Sequence, residues 1–162
     1  MNQTNGLETI LYDLLLSRNQ KVSVAESCTG GLLAATIINV PGASSIIDEA
    51  IVTYANEAKI KRLNVSKITL DKYGAVSQEC VKEMAENLHK LTLAELTISI
   101  SGIAGPTGGT SDKPVGTVWF GFCYLNQFYS SLNHFDGDRN SIRLSATKFA
   151  LEKAIEILKK HH

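Results

Sequence analysis

VSVAESCTGGLLAATI, residues 22–37, is the stretch on which the fold turns. Val22 and Val24 alternate with Lys21 and Ser23, the period of a short strand. Gly30 and Gly31 then mark a tight turn, and the apolar run from Leu32 to Val40 reads as a helix. That helix is expected from about Thr29 to Val40, where Pro41 and Gly42 stop it. Strand, turn and helix in this order open an α/β unit. Ser27 and Cys28 sit side by side at the junction, so two nucleophile types occupy a place where ligands collect in such folds. Ser27 or Thr29 could equally do no more than cap the helix. Cys28 lacks an imidazole with a recognisable signature nearby, and reads as a small buried residue.

Outward from this junction, helix and strand continue to alternate. Residues 6–18 place Leu7, Ile10, Leu11 and Leu14 on one helical face. EAIVTYA (49–55) reads as a strand, followed by a short helix ending near Asn64. Ser77 is an N-cap candidate for a helix whose inner face carries Val81, Met84, Ala85 and Leu88. LTISIS (96–101) alternates as a strand, and a loop rich in glycine and proline follows it. TVWFGFCYL and FYSSLNHF flank Asn126–Gln127 as a β-hairpin. A closing helix is expected over 139–160, with Ile142, Ala146, Phe149, Ala150 and Ile157 inward. The pattern predicts one α/β domain over residues 1–162, three layers (α/β/α) around a single mixed central sheet.

Composition narrows the function. Lys plus Arg equals Asp plus Glu at 16 each, so no overall basic field draws the chain to nucleic acid or to an anionic membrane. Apolar residues at 44% and charged residues at 20% suit an ordinary globular core. No apolar run reaches the length of a membrane span, and the opening MNQTNGLET lacks the features of a signal peptide, so a cytoplasmic protein is expected. Cys28, Cys80 and Cys123 are far apart with no CxxC, which argues against a disulfide framework or a zinc site, and no metal is expected. A small-molecule substrate is the expected partner, while self-association is left open.

Three loops carry candidate chemistry: ESCTGG, YANEAK and SGIAGPTGG. A serine nucleophile needs a base, and a lysine whose pKa is lowered by burial can serve. Spacing after Tyr54 leaves Lys59 and Lys61 as alternatives, and either could be a solvated surface charge. GIAGPTGG matches neither a Walker A motif nor a dinucleotide fingerprint. Arg139 and Arg143, four apart at a helix start, could grip a phosphate together or pair with Asp136 and Asp138.

VAESCTGGLLAATI, VPGASS, VTYANEAK, YGAVS, SGIAGPTGGT, KPVGTVWFG and GDRNSIR stand in the order and approximate spacing of one known family. Over about residues 6–158 the chain resembles the C-terminal domain of the CinA family. The resemblance implies a serine–lysine amidohydrolase that converts nicotinamide mononucleotide to nicotinate mononucleotide and ammonia, within pyridine-nucleotide recycling. It places the nucleophile on Ser27, the base on Lys59 and the active-site tyrosine on Tyr54. Substrate contacts are then expected from Thr29, Gly30, Gly31, Ser101, Gly102, Gly105, Arg139 and Arg143. Ser101 stands where the family commonly has threonine. Helix N-terminal amides are expected to hold the oxyanion, and neither metal nor organic cofactor is required. The alternative is a non-catalytic nucleotide-binding module, or an interaction module linked to competence and DNA damage.

Overall fold

The computed structural model describes residues 4–161. Its sheet has the strand order β2-β1-β3-β4-β5, with β1 at Val22–Glu26, β2 at Ile47–Val52, β3 at Leu96–Gly102, β4 at Thr117–Tyr124 and β5 at Gln127–His134. β1 runs parallel to both β2 and β3, while β3–β4 and β4–β5 are antiparallel. The mixed sheet follows from the connections. Helices lie between the parallel strands, because a parallel return needs a long crossover. β4 and β5 are joined by Leu125 and Asn126, both at positive φ (50° and 63°), which gives the turn the twist that a tight hairpin needs. The turn therefore falls one residue earlier than the expected Asn126–Gln127.

Helices α1 (Leu7–Ser17), α2 (Leu32–Ile37) and α6 (Arg139–Lys160) cover one face. Helices α3 (Asn56–Leu63), α4 (Lys67–Tyr73) and α5 (Gln78–Thr92) cover the other. The result is the expected three-layer α/β/α arrangement. Strand alternation assigns side chains to the layers. Val22, Val24, Leu96, Ile98, Ile100, Val118 and Phe120 join Leu11, Leu15, Leu33 and Leu151 in the larger core. On the opposite face Ala25 meets Leu63, Met84 and Leu88 in a smaller one. Two polar strand residues beneath α5 are satisfied by the helix itself: Thr97 Oγ1 donates to Ala85 O at 2.8 Å and Ser99 Oγ to Val81 O at 2.6 Å.

Some expected boundaries shift for identifiable reasons. α2 begins at Leu32 rather than Thr29, because Gly30 and Gly31 hold φ of 59° and 98° in a non-helical turn. α1 is rotated from its expected face: Leu11 and Leu15 are fully buried, while Ile10 is 41% exposed. Glu8 is buried on that helix and accepts from Thr4 Oγ1. β2 starts and ends earlier than EAIVTYA implied, so Thr53, Tyr54 and Ala55 leave the sheet as a loop. Helix α4 had no counterpart in the sequence reading. α5 and α6 match theirs closely. Ser77 Oγ accepts from Cys80 N at 3.1 Å, and the Asp138 side chain caps α6 through Ser141 N at 2.8 Å. No helix among the described residues is long and apolar enough to cross a membrane.

Candidate active site

The ends of three neighbouring strands bring the loops together. Ser27 N donates to Ile100 O of β3 at 3.0 Å, and Thr53 N donates to Glu26 O of β1 at 2.9 Å. Ser27 therefore sits between the loops that leave β2 and β3. Because successive strand residues face opposite layers, Glu26 turns toward α2 and Ser27 toward α3.

Glu26 decides which role remains for Ser27. Its carboxylate accepts from Leu33 N at 2.9 Å and from Ala34 N at 3.0 Å, and the residue is buried. A charge at that position satisfies two first-turn donors of α2 and complements the helix dipole. The N-cap position is held by Gly31, with no side-chain cap bond, so neither Ser27 nor Thr29 caps this helix. The expectation that first-turn helix amides face the reacting carbonyl meets the same obstacle, since the Leu33 and Ala34 amides are already engaged. Glu26 was not among the sequence candidates. A carboxylate shortly before a Gly-Gly turn and an apolar run was the available sign.

Lys59 is the group that Ser27 does meet. α3 presents one narrow face inward, so Lys59 and Leu63 are buried while Lys61 is exposed. Lys59 is only 1% exposed, and its Nζ donates to Ser27 Oγ at 3.0 Å, Thr53 O at 2.7 Å and Tyr54 O at 3.1 Å. None of its partners is a carboxylate. Burial thus pushes the Lys59 pKa below the ordinary lysine value, against small opposing influences from the Cys80 and Cys28 thiols. Burial acts in the other direction on Cys28, whose thiol is pushed up to about 11. At neutral pH that sulfur is protonated and a poor nucleophile.

The remaining candidates divide between lining and bracing. The Tyr54 carbonyl fixes Lys59, whereas its exposed phenol oxygen accepts from Arg139 Nη2 at 2.9 Å. Arg139 Nη1 donates to Gly105 O at 2.6 Å, so this arginine ties the loop after β2 to the loop after β3. Its neighbour Asp136 lies instead 3.8 Å from His134 Nδ1. Arg143 shares the helix face with Arg139 but reaches elsewhere: Nε donates to Cys28 O at 3.0 Å and Nη2 to Thr29 O at 2.9 Å. Ser101 is buried in register with Trp119 at the end of β3. A Cβ at Gly102 would lie 2.6 Å from Val118 Cγ2, and one at Gly105 would collide with Val115, so both glycines allow the loop to close on β4 and its lead-in. Thr29 is fully buried, and its hydroxyl has no partner among the described residues. Among the described residues no group of three or more His, Cys, Asp or Glu is arranged to hold a metal ion.

The family model for the CinA C-terminal domain matches residues 4–158. The chain belongs to the CinA family. A CinA-like protein from Petrotoga mobilis is 46% identical over 97% of this chain and 39% of its own length. A CinA-like protein from Thermotoga maritima is 47% identical over 94% of this chain and 37% of its own length. The chain therefore spans less than two-fifths of these CinA relatives. It covers the whole of a solved CinA-superfamily structure: the competence damage-inducible protein A from Klebsiella pneumoniae superposes with a TM-score of 0.95 at 35% identity, over 99% of this chain and 100% of that one. The CinA superfamily protein from Escherichia coli gives a TM-score of 0.92 at 34% identity, over 95% of this chain and 90% of that one.

Proposed function

We propose that the chain is an amidohydrolase with Ser27 as nucleophile and Lys59 as base, and that it deamidates nicotinamide mononucleotide to nicotinate mononucleotide and ammonia. The observation that carries the chemistry is the buried Lys59 Nζ, 3.0 Å from Ser27 Oγ with no carboxylate among its hydrogen-bond partners. A neutral amine has two N–H groups and one lone pair. Two backbone carbonyls, Thr53 O and Tyr54 O, match the two N–H groups and leave the lone pair for the Ser27 hydroxyl. After proton transfer the ammonium has three N–H groups for the same three oxygens. The network thus serves both protonation states without rearranging, which is what a general base requires.

Ser27 Oγ attacks the carboxamide carbon as its proton moves to Lys59. The tetrahedral intermediate collapses as Lys59 returns that proton to the departing nitrogen, and ammonia leaves. Water then attacks the acyl carbon as Lys59 takes a water proton. The bond from Ser27 Oγ to the acyl carbon breaks, Lys59 returns the proton to Ser27 Oγ, and the product acid leaves ionised. The mononucleotide as substrate rests on the seven ordered motifs and on Arg139, a cation at the strand-end rim that can offer its guanidinium to a phosphate.

Ammonia release from nicotinamide mononucleotide, nicotinamide riboside and nicotinamide tests the proposal. Turnover of the mononucleotide that is lost in Ser27→Ala supports it. Tight nucleotide binding without ammonia would leave a binding module in its place.

A further inference from the structure

Arg143 lies in the layer opposite Lys59, yet it spends two donors on the carbonyls of the loop that carries Ser27. A trans peptide points its N–H away from its C=O. The Thr29–Gly30 peptide displays this directly: Thr29 O accepts from Arg143, and the N–H of the same peptide, on Gly30, reaches back to Ser27 O at 3.0 Å. The preceding peptide is held in the same way, with Cys28 O on Arg143 Nε. Its N–H, on Thr29, then points away from Arg143. The Ser27 amide is engaged by Ile100 O, and the Leu33 and Ala34 amides by Glu26. The Thr29 N–H donates to no acceptor among the described residues.

We infer that Arg143 is a positioning residue: by clamping Cys28 O and Thr29 O it aims the Thr29 N–H at the oxyanion formed when Ser27 attacks. The inference rests on the Ser27–Lys59 reading above. The guanidinium also polarises the Cys28–Thr29 peptide, because a carbonyl that accepts a hydrogen bond makes its own N–H a better donor. Gly30 belongs to the same device. A Cβ there would stand 3.4 Å from Arg143 Nη2, and its φ of 59° disfavours any side chain.

Arg143→Gln and Arg143→Lys separate this role from phosphate binding. Glutamine can donate to a carbonyl but carries no charge, whereas lysine keeps the charge and loses the fork. The role predicts that Arg143→Ala lowers kcat for nicotinamide mononucleotide by about 100-fold, the scale of one lost oxyanion donor. KM should stay within about twofold, following the rule for interactions made only in the transition state. Arg143→Gln should recover part of kcat, and the acid limb of the pH profile should not move in any variant. A raised KM with intact kcat, rescued by lysine and not by glutamine, would overturn the inference in favour of a phosphate contact.

A fluorophosphonate probe supplies a readout that does not need the substrate. Ser27 Oγ bonds to phosphorus, the P–F bond breaks, the serine proton passes to Lys59 and fluoride leaves. Mass spectrometry of the intact chain gives the rate. Slower phosphonylation of Arg143→Ala and Arg143→Gln, with melting curves like the parent, supports the role. Equal rates in parent and variants sink the inference alone. No label on Ser27 in the parent, together with no ammonia from any substrate, sinks the Ser–Lys reading and the inference with it.

Discussion

Ser27 and Cys28 are adjacent and both buried, yet their environments give them opposite prospects. Ser27 Oγ lies 3.0 Å from the buried Lys59 amine proposed as its base, while the Cys28 thiol is held protonated by burial. Ser27→Ala should abolish ammonia release, and Cys28→Ala should keep it within a few-fold. A dead Cys28→Ala enzyme that folds normally would contradict the assignment. Lys59 makes a second prediction with a definite sign. Its pKa is lowered on folding from an ordinary 10.5, so between the lowered value and 10.5 the unfolded chain binds more protons than the folded one. The Lys59 contribution to stability should therefore rise with pH across that window, with the cost of burying the ammonium complete below it. The buried thiols of Cys28, Cys80 and Cys123, raised from 9.0 to about 11, act in the opposite sense at the alkaline end. Urea titrations at several pH values should show the Lys59 slope in the difference between the parent and Lys59→Met. Lys59→Met should also lose about 100- to 10,000-fold in turnover, the usual range for a general base. Activity of the parent should fall as acid protonates Lys59.

At the scale of elements, caps and loop contacts fix where the site residues stand. Ser77 Oγ accepts from Cys80 N at the start of α5, the helix against which α3 and its Lys59 pack. Ser77→Ala should cost about 1 kcal/mol in chemical denaturation, the usual loss for a serine cap. The Ser77 hydroxyl donates to Gly74 O, accepts from Cys80 N and bonds neither Ser27 nor Lys59, so kcat should change little. Arg139 makes the complementary case, a contact between elements with a proposed ligand role. Its guanidinium joins Tyr54 to Gly105 from the first residue of α6. Arg139→Ala should reduce kcat/KM for nicotinamide mononucleotide by roughly 10- to 150-fold, the value of about 1.5–3 kcal/mol for a charge-assisted contact. Slow turnover of the uncharged riboside should be nearly unaffected. Equal loss on both substrates would assign Arg139 to bracing the two loops instead of to the phosphate.

For the whole molecule, the sheet order explains why the site lies where it does. β1 is flanked in parallel by β2 and β3, so three loops leave the same end of the sheet side by side. Ser27, Thr53 and Ser101 follow or end those strands, while α3 and α6 deliver Lys59 and Arg139 from opposite layers. Each layer contributes a cation to a different task, and the strand ends supply the backbone oxygens that hold them. A cleft of about 390 Å³ lined by Tyr73, Val76, Gln78, Lys113 and Trp119 shares no lining residue with the Ser27–Lys59 pair.

The sequence by itself determined the strand–turn–helix of residues 22–37, the amphipathic face of α5, the hairpin and the long α6. In each of these, local periodicity and turn chemistry agree with the fold. It also narrowed the proposed nucleophile to two neighbouring residues. Spacing leaves Lys59 and Lys61 open, and the resemblance points to Lys59. That Lys59 is the buried one was decided only by the tertiary structure, through the face of a short helix that meets α5. The rotation of α1 and the presence of α4 were likewise decided by packing, not by their own weakly patterned residues. Arg143 as the clamp on the Ser27 loop, and the carbonyls of Thr53 and Tyr54 as partners of Lys59, were not legible at all. A carbonyl exists at every position of a chain, and a contact spanning 115 residues leaves no mark in local spacing.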